Sequence, residues 1–180
     1  MMDGYKKYQG ISVALYGKFI LNGADIAPLT VPGVGVFMAF SGNGGCVNQS
    51  SCSKLPSQGP VPLGRYWIVD RPQGRLLSYS RANEVSRDII NHYVYGASFK
   101  HSEWFALFPD SWGNVNDGRW LDDVWRGNFR LHPGRISKGC ITLCHDSDYA
   151  TLRNALLRTS KIPVTCMKNM QAYGQIEVVI

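Results

Sequence analysis

At 180 residues and 44% hydrophobic content, the chain is long enough for one sizeable core and too short for two ordinary domains. A single domain over 1–180 is therefore expected, within which 1–58 can form a strand-and-loop subregion. Nineteen glycines and nine prolines with 12% aromatics point to short strands and turns and away from an all-α fold. The net charge of +6 suits polyanionic partners. No Lys/Arg run, zinc-finger spacing or RNP-like aromatic motif accompanies it, so nucleic acid is not expected and the charge reads as a solvated surface.

In chain order, Met1–Gly10 is polar, and no apolar run follows that would serve as a signal peptide. The apolar stretch Val31–Phe40 is broken by Pro32, Gly33 and Gly35, so no membrane insertion is expected. Ile11–Tyr16 and Phe19–Leu21 are strand-like, and Asn22-Gly23 signals a hairpin. Ser41–Gly59 is a long Ser/Gly/Asn-rich loop carrying Cys46 and Cys52. Gly59-Pro60-Val61-Pro62-Leu63-Gly64 is a rigid turn, with a strand over Arg65–Asp70 leaving it.

Val85, Ile89 and Tyr93 at four-residue spacing predict a helix over Ser80–Gly96. Glu103–Phe108 is the next expected strand. In Phe129-Arg130-Leu131-His132, alternation puts Phe129 and Leu131 on one face and Arg130 and His132 on the other. Tyr149, Leu152 and Leu156 predict a helix capped by Asp146 or Ser147, and Pro163–Thr165 and Ile176–Ile180 are closing strands. The five cysteines leave at least one thiol unpaired in a monomer. Cys46 with Cys52, and Cys144 with Cys166, are the pairings considered, and sequence leaves both open.

The chemistry concentrates in Phe129–Leu143, FRLHPGRISKGCITL. A thiol attacks carbonyls as thiolate and needs a nearby imidazole or cation to form it. Cys140 is the candidate nucleophile and His132, eight residues earlier, its candidate base, brought back by turns at Pro133, Gly134 and Gly139. Gly139 permits a tight backbone whose amides, with that of Cys140, can meet a developing oxyanion. Ser137 can hydrogen-bond within the same turn. Arg130, Arg135 and Lys138 add positive charge for thiolate and for a substrate carboxylate, with Arg130 the first choice. His92 and His101 also precede the cysteine and remain alternative bases.

The run His132, Ser137, Gly139, Cys140, Ile141 resembles the L,D-transpeptidase signature, in which an upstream histidine is followed by Ser/Thr-His-Gly-Cys and a hydrophobic residue. Pro62-x-Gly64-x-Tyr66-x-Ile68 resembles the segment such domains carry before it. Gly59-Pro60-Val61-Pro62, His132-Pro133-Gly134 and Ser137-x-Gly139-Cys140-Ile141-Thr142 together resemble the type VI secretion L,D-transpeptidase-like effector toxins. Lys138 replaces the usual histidine, and Thr142 the usual arginine or asparagine, which moves carboxylate recognition to another residue.

The resemblance implies a mainly β (α+β) fold, an L,D-transpeptidase-like β-sandwich or catalytic sheet with one or two short helices. It implies Cys140, His132, Ser137 and Gly139 as catalytic residues, with Arg130, Lys138, Thr142 and Tyr66 toward substrate and the Pro133 carbonyl orienting His132. The implied activity is removal of terminal D-alanine from peptidoglycan tetrapeptide stems, or its exchange for a D-amino acid, through a Cys acyl-enzyme without metal or organic cofactor. It further implies an immunity protein, a secretion apparatus, synthesis in the cytoplasm and action in the periplasm of a target bacterium. The alternatives are a general cysteine peptidase or amidase, whose papain-like order of Cys before His is reversed here; a non-catalytic wall-binding module; and a zinc site of His132, Cys140, Cys144 and His145.

Overall fold

Alternating side chains set the strands. In β2 (Ala27–Val31) Ala27, Leu29 and Val31 are buried while Pro28 and Thr30 are half-buried, the period-two pattern of a sheet with one face on a core. The computed structural model describes residues 13–71, 88, 98–111 and 117–180. The other strands are β1 (Leu15–Ile20), β3 (Gly35–Phe40), β4 (Gly64–Asp70), β5 (Phe105–Pro109), β6 (Arg119–Leu121), β7 (Val124–Arg126), β8 (Arg130–Pro133), β9 (Ile141–Leu143), β10 (Ile162–Pro163) and β11 (Gln171–Val179). The helix α1 covers Asp146–Leu157.

Nine strands follow the order β1-β2-β3-β9-β8-β5-β4-β11-β10, and β1 also pairs with β11, so the sheet closes on itself like a barrel. The β1–β11 and β8–β9 pairs are parallel and the remaining pairs of this sheet antiparallel. Closure depends on one irregularity. The β11 register against β4 shifts between Ala172 and Gly174, so one edge of β11 serves first β10 and then β1. Gly174 has φ +155°, and a Cβ there would collide with the Leu15 carbonyl. The fold is thus mainly β with one described helix; its closed pairing does not divide it into the two layers of a sandwich.

Phe19, Leu29, Tyr66, Leu107, Phe129, Leu131, Ile141 and Leu143 fill the interior, and α1 adds Tyr149, Leu152 and Leu156. Each such large apolar side chain contributes about 1.5–3 kcal/mol on burial. The Tyr149 hydroxyl lies 2.9 Å from the Glu103 carbonyl and 3.3 Å from that of Leu131, which ties α1 to β8. β4 is buried on both faces, because Trp67 and Val69 join a second cluster with Ala106, Phe108, Val164 and Ala172. β6 and β7 form a separate two-stranded ribbon with Trp120 opposite Trp125.

Several sequence expectations shift. The Asn22-Gly23 hairpin forms between β1 and β2, but Tyr16 and Phe19, from the two stretches expected as strands, lie in the single strand β1. The strand expected from Glu103 begins at Phe105, because His101–Glu103 forms a 3-10 turn. The residue capping α1 is His145, without a side-chain cap, and Asp146 instead accepts the Ser98 N–H at 3.0 Å. The last two strands begin earlier than expected, at Ile162 and Gln171. Apart from Asp88, the Ser80–Gly96 helix segment lies outside the described residues up to Ala97. Cys46 and Cys52 are joined by a disulfide, whereas Cys144 and Cys166 are both free, which corrects the second pairing considered.

Candidate active site

Two parallel neighbours, β8 and β9, carry the site. Their register pairs Leu131 with Ile141 and His132 with Thr142, so His132 and Thr142 project from one face while Leu131 and Ile141 enter the core. Cys140 lies immediately before β9, two residues from Thr142, where the register continued by one residue sets it beside Arg130, diagonal to His132 on the neighbouring strand.

His132 is 5% exposed and held on three sides. Its Nδ1 lies 2.9 Å from the Pro133 carbonyl, its Nε2 3.3 Å from the Thr142 hydroxyl, and Trp104 stacks on its ring at 4.1 Å between centroids. A carbonyl can only accept, so Nδ1 carries the proton and Nε2 offers its lone pair to Thr142. Burial pushes the His132 pKa down to about 4, against a smaller opposing effect of the Pro133 contact. The ring is therefore a neutral imidazole whose basic nitrogen faces the Thr142 hydroxyl.

Cys140 is half-buried. Its Sγ donates to the Asn128 carbonyl at 3.7 Å, and no hydrogen bond joins it to His132. Burial pushes the thiol up to about 11, while the backbone N–H and charge of Arg130 pull the other way. Thiol and imidazole thus rest as a neutral pair. The Cys140 sulfur must rotate from Asn128 toward Nε2, and Thr142 must yield that nitrogen, before a proton can pass; such looseness is common in unliganded sites.

The turn before Cys140 is anchored to the long loop. The Ser137 hydroxyl donates to the Cys140 carbonyl at 2.8 Å and accepts the Gly42 N–H at 3.2 Å. Gly139 has φ +111°, and a Cβ there would lie 2.5 Å from Nη2 of Arg126. Arg126 in turn donates to the carbonyls of Ser53, Gly59 at 2.9 Å and Pro60 at 3.4 Å. The loop itself is stapled by the Cys46–Cys52 disulfide and by buried Asn48, whose Oδ1 accepts the Ser41 N–H at 2.9 Å.

The expected substrate residues do not all gather there. Arg130 is close to Cys140 but is ion-paired with Asp117. Lys138 is exposed on the turn. Thr142 is buried against the imidazole. Tyr66 is fully buried; its hydroxyl donates to the Pro62 carbonyl at 2.7 Å and its ring meets Phe129 edge-on, so it is a wall residue rather than one a substrate reaches. Of the alternative bases, His92 lies outside the described residues, and His101 is ion-paired with Asp88 and packed on Trp104. Among the described residues, no three His, Cys, Asp or Glu side chains converge as the zinc alternative requires.

The family model of the Tlde1 domain matches residues 35–167, well over half of the chain. The chain belongs to the Tlde1-domain family. This is the family of type VI secretion L,D-transpeptidase effectors, and the effector resemblance read from the sequence agrees with it. No curated protein matches the chain. The Tlde1 match takes in β3 through β10 and therefore His132, Cys140, Arg126 and the disulfide loop, while β1, β2 and β11 lie outside it.

Within the Tlde1 segment, sequence reasoning missed the positions that pack against His132 and against the turn into Cys140. Trp104 stacks on His132, and Arg126, only 3% exposed, is held against Gly139; neither stands in a motif that marks it. The signal available for Arg126 was the strand-turn-strand pattern Arg119–Arg126, whose pairing places Arg126 opposite Arg119 on the face away from Trp120 and Trp125.

Proposed function

We propose that the protein is an antibacterial peptidoglycan-modifying toxin that removes the terminal D-alanine from tetrapeptide stems, and exchanges it for other D-amino acids, through an acyl-enzyme on Cys140. The observation that carries the reading is the His132 tautomer. Nδ1–H is committed to Pro133, so Nε2 is the nitrogen left to act as base, on the strand next to the one that Cys140 leads into, within a segment that matches an L,D-transpeptidase effector family.

The Cys140 thiol rotates toward His132, its proton passes to Nε2, and the sulfur attacks the carbonyl carbon at the L-centre of the third stem residue. The oxyanion forms beside the Gly139 and Cys140 amides. As the C–N bond breaks, His132 returns the proton to the departing D-alanine amine and a thioester remains. Water, deprotonated by His132, then attacks the thioester; the shortened stem leaves as a carboxylic acid that ionises, and the proton held on His132 returns to sulfur. If a free D-amino acid amine attacks instead, a new amide forms and the result is exchange. Ser137 holds the turn by its bond to the Cys140 carbonyl, while exposed Lys138 and the edge of Arg130 supply positive charge for stem carboxylates.

On this reading the partners are a secretion apparatus and an immunity protein, and the protein acts in the periplasm of a target bacterium. The Cys46–Cys52 disulfide suits that oxidising compartment. The test is digestion of intact peptidoglycan with muropeptide masses read by liquid chromatography. Loss of terminal D-alanine, or its replacement by an added D-amino acid, is expected for the wild type and not for Cys140→Ala. Unchanged muropeptides beside an active control enzyme would overturn the proposal.

A further inference from the structure

Arg126 is 3% exposed, yet among the described residues no carboxylate lies within ion-pair reach of it. A buried cation without a counter-charge is costly, and structures keep one only where something offsets it. Its donors go to the carbonyls of Ser53, Gly59 and Pro60, which relieve the desolvation but bring no net charge. Burial accordingly lowers its pKa, and the groups that act in the opposite sense are Tyr66 and Cys140. Tyr66 is sealed in the core with its hydroxyl donated to Pro62, which leaves Cys140 as the anion that can form.

Geometry places the guanidinium for that role. Nη2 occupies the space against Gly139 where any side chain would put its Cβ, so the cation lies directly against the peptide that leads into Cys140. Arg130, also near the sulfur, is paired with Asp117, and this carboxylate cancels much of its field. The charged and titratable groups around Cys140 are then His132, Arg130 with Asp117, Arg71, and Arg126.

We infer that Arg126 is a positioning residue for Cys140: held by three loop carbonyls against the Gly139–Cys140 peptide, its unneutralised charge favours the thiolate and fixes the turn that presents it. The inference rests on Cys140 being the nucleophile of the proposed function. It also gives the disulfide-stapled loop a role, since Ser53 follows Cys52 and carries one of the three acceptors.

The test is the rate of iodoacetamide alkylation at Cys140, measured near neutral pH in a Cys144→Ser/Cys166→Ser background so that one free thiol reports. Arg126→Gln is expected to slow alkylation about tenfold, one pKa unit of thiolate, and Arg126→Lys to slow it less. Far-ultraviolet circular dichroism and thermal melting identify which variants fold, and if Arg126→Gln does not, Arg126→Met, which also removes the charge, carries the same test. The sign separates charge from mere support. Loosening the turn would admit water, relieve the burial that holds the thiol protonated, and speed alkylation, whereas loss of the cation slows it. An unchanged or faster rate in a folded variant that lacks the cation would overturn the inference. Alkylation needs no peptidoglycan, so slowed alkylation beside unchanged muropeptides would strike the substrate reading and leave the role of Arg126 at the thiol standing.

Discussion

Acid should weaken this protein through His132. In the folded chain burial pushes its pKa down to about 4, whereas in the unfolded chain it titrates near ~6.5. The unfolded state therefore takes up a proton first. The stabilisation is complete above about pH 6.5 and is lost as pH falls toward about 4. A difference of about 2.5 units at ~1.4 kcal/mol each amounts to about 3.5 kcal/mol in full, of which about 3 kcal/mol is lost by about pH 4, a large share of the ~5–15 kcal/mol that holds a typical domain. The assay is urea denaturation at steps between about pH 7 and about pH 4, for the wild type and for His132→Gln. Glutamine keeps an N–H for Pro133, an acceptor for Thr142 and a flat face for Trp104, but it does not titrate. Other acid-sensitive groups, such as Asp70 beside Lys161 and Tyr173, are common to both proteins and cancel in the comparison. The wild type should lose about 3 kcal/mol more than the variant across this range. Parallel curves would refute the claim that the imidazole is held neutral by burial.

Because His132 is lowered to about 4 and Cys140 raised to about 11, the neutral pair persists across the physiological range. Thus kcat/KM for the peptidoglycan reaction should be flat from about pH 6 to about pH 9; a tenfold rise per unit, as for an unassisted thiol, would contradict it. Gly139→Ala forces a Cβ against Arg126 at φ +111° and should cost about 1–3 kcal/mol in thermal unfolding, with at least a tenfold loss of activity. Replacing Cys46 and Cys52 by serine opens a loop of sequence separation 6 and should lower stability by about 2 kcal/mol in urea titrations. An unchanged midpoint would show that the staple does not constrain the loop. Thr142→Val removes the hydroxyl that occupies Nε2 and should change kcat less than tenfold, against a loss of a thousandfold or more for His132→Ala.

Local signals made parts of this architecture legible. The Pro-Gly turn launches β4 at Gly64, the Asn-Gly turn joins β1 to β2, and the stripe Tyr149, Leu152, Leu156 packs α1, because each depends on residues close in sequence. The same holds for the nearness of His132 and Cys140, which one turn brings to β8 and to the residue before β9. What sequence could not display is contact between distant segments. The parallel pairing of β1 with β11 joins the two ends of the described chain and leaves no local mark. Arg126 is buried because the ribbon β6–β7 meets the loop over 53–60, and Trp104, just before β5, lies over His132 of β8, contacts between segments far apart in the chain. Tyr66, chosen from the motif, proved to be core because alternation along β4 points it inward with Ile68.

The central claim is an acyl-enzyme on Cys140, and rapid quenching with a tetrapeptide stem, followed by intact-protein mass spectrometry and peptide mapping, tests it most directly. The account predicts an adduct equal to the stem less its terminal D-alanine, mapped to Cys140 and absent from Cys140→Ala. Release of D-alanine by Cys140→Ala, or an adduct mapped to another residue, would contradict it.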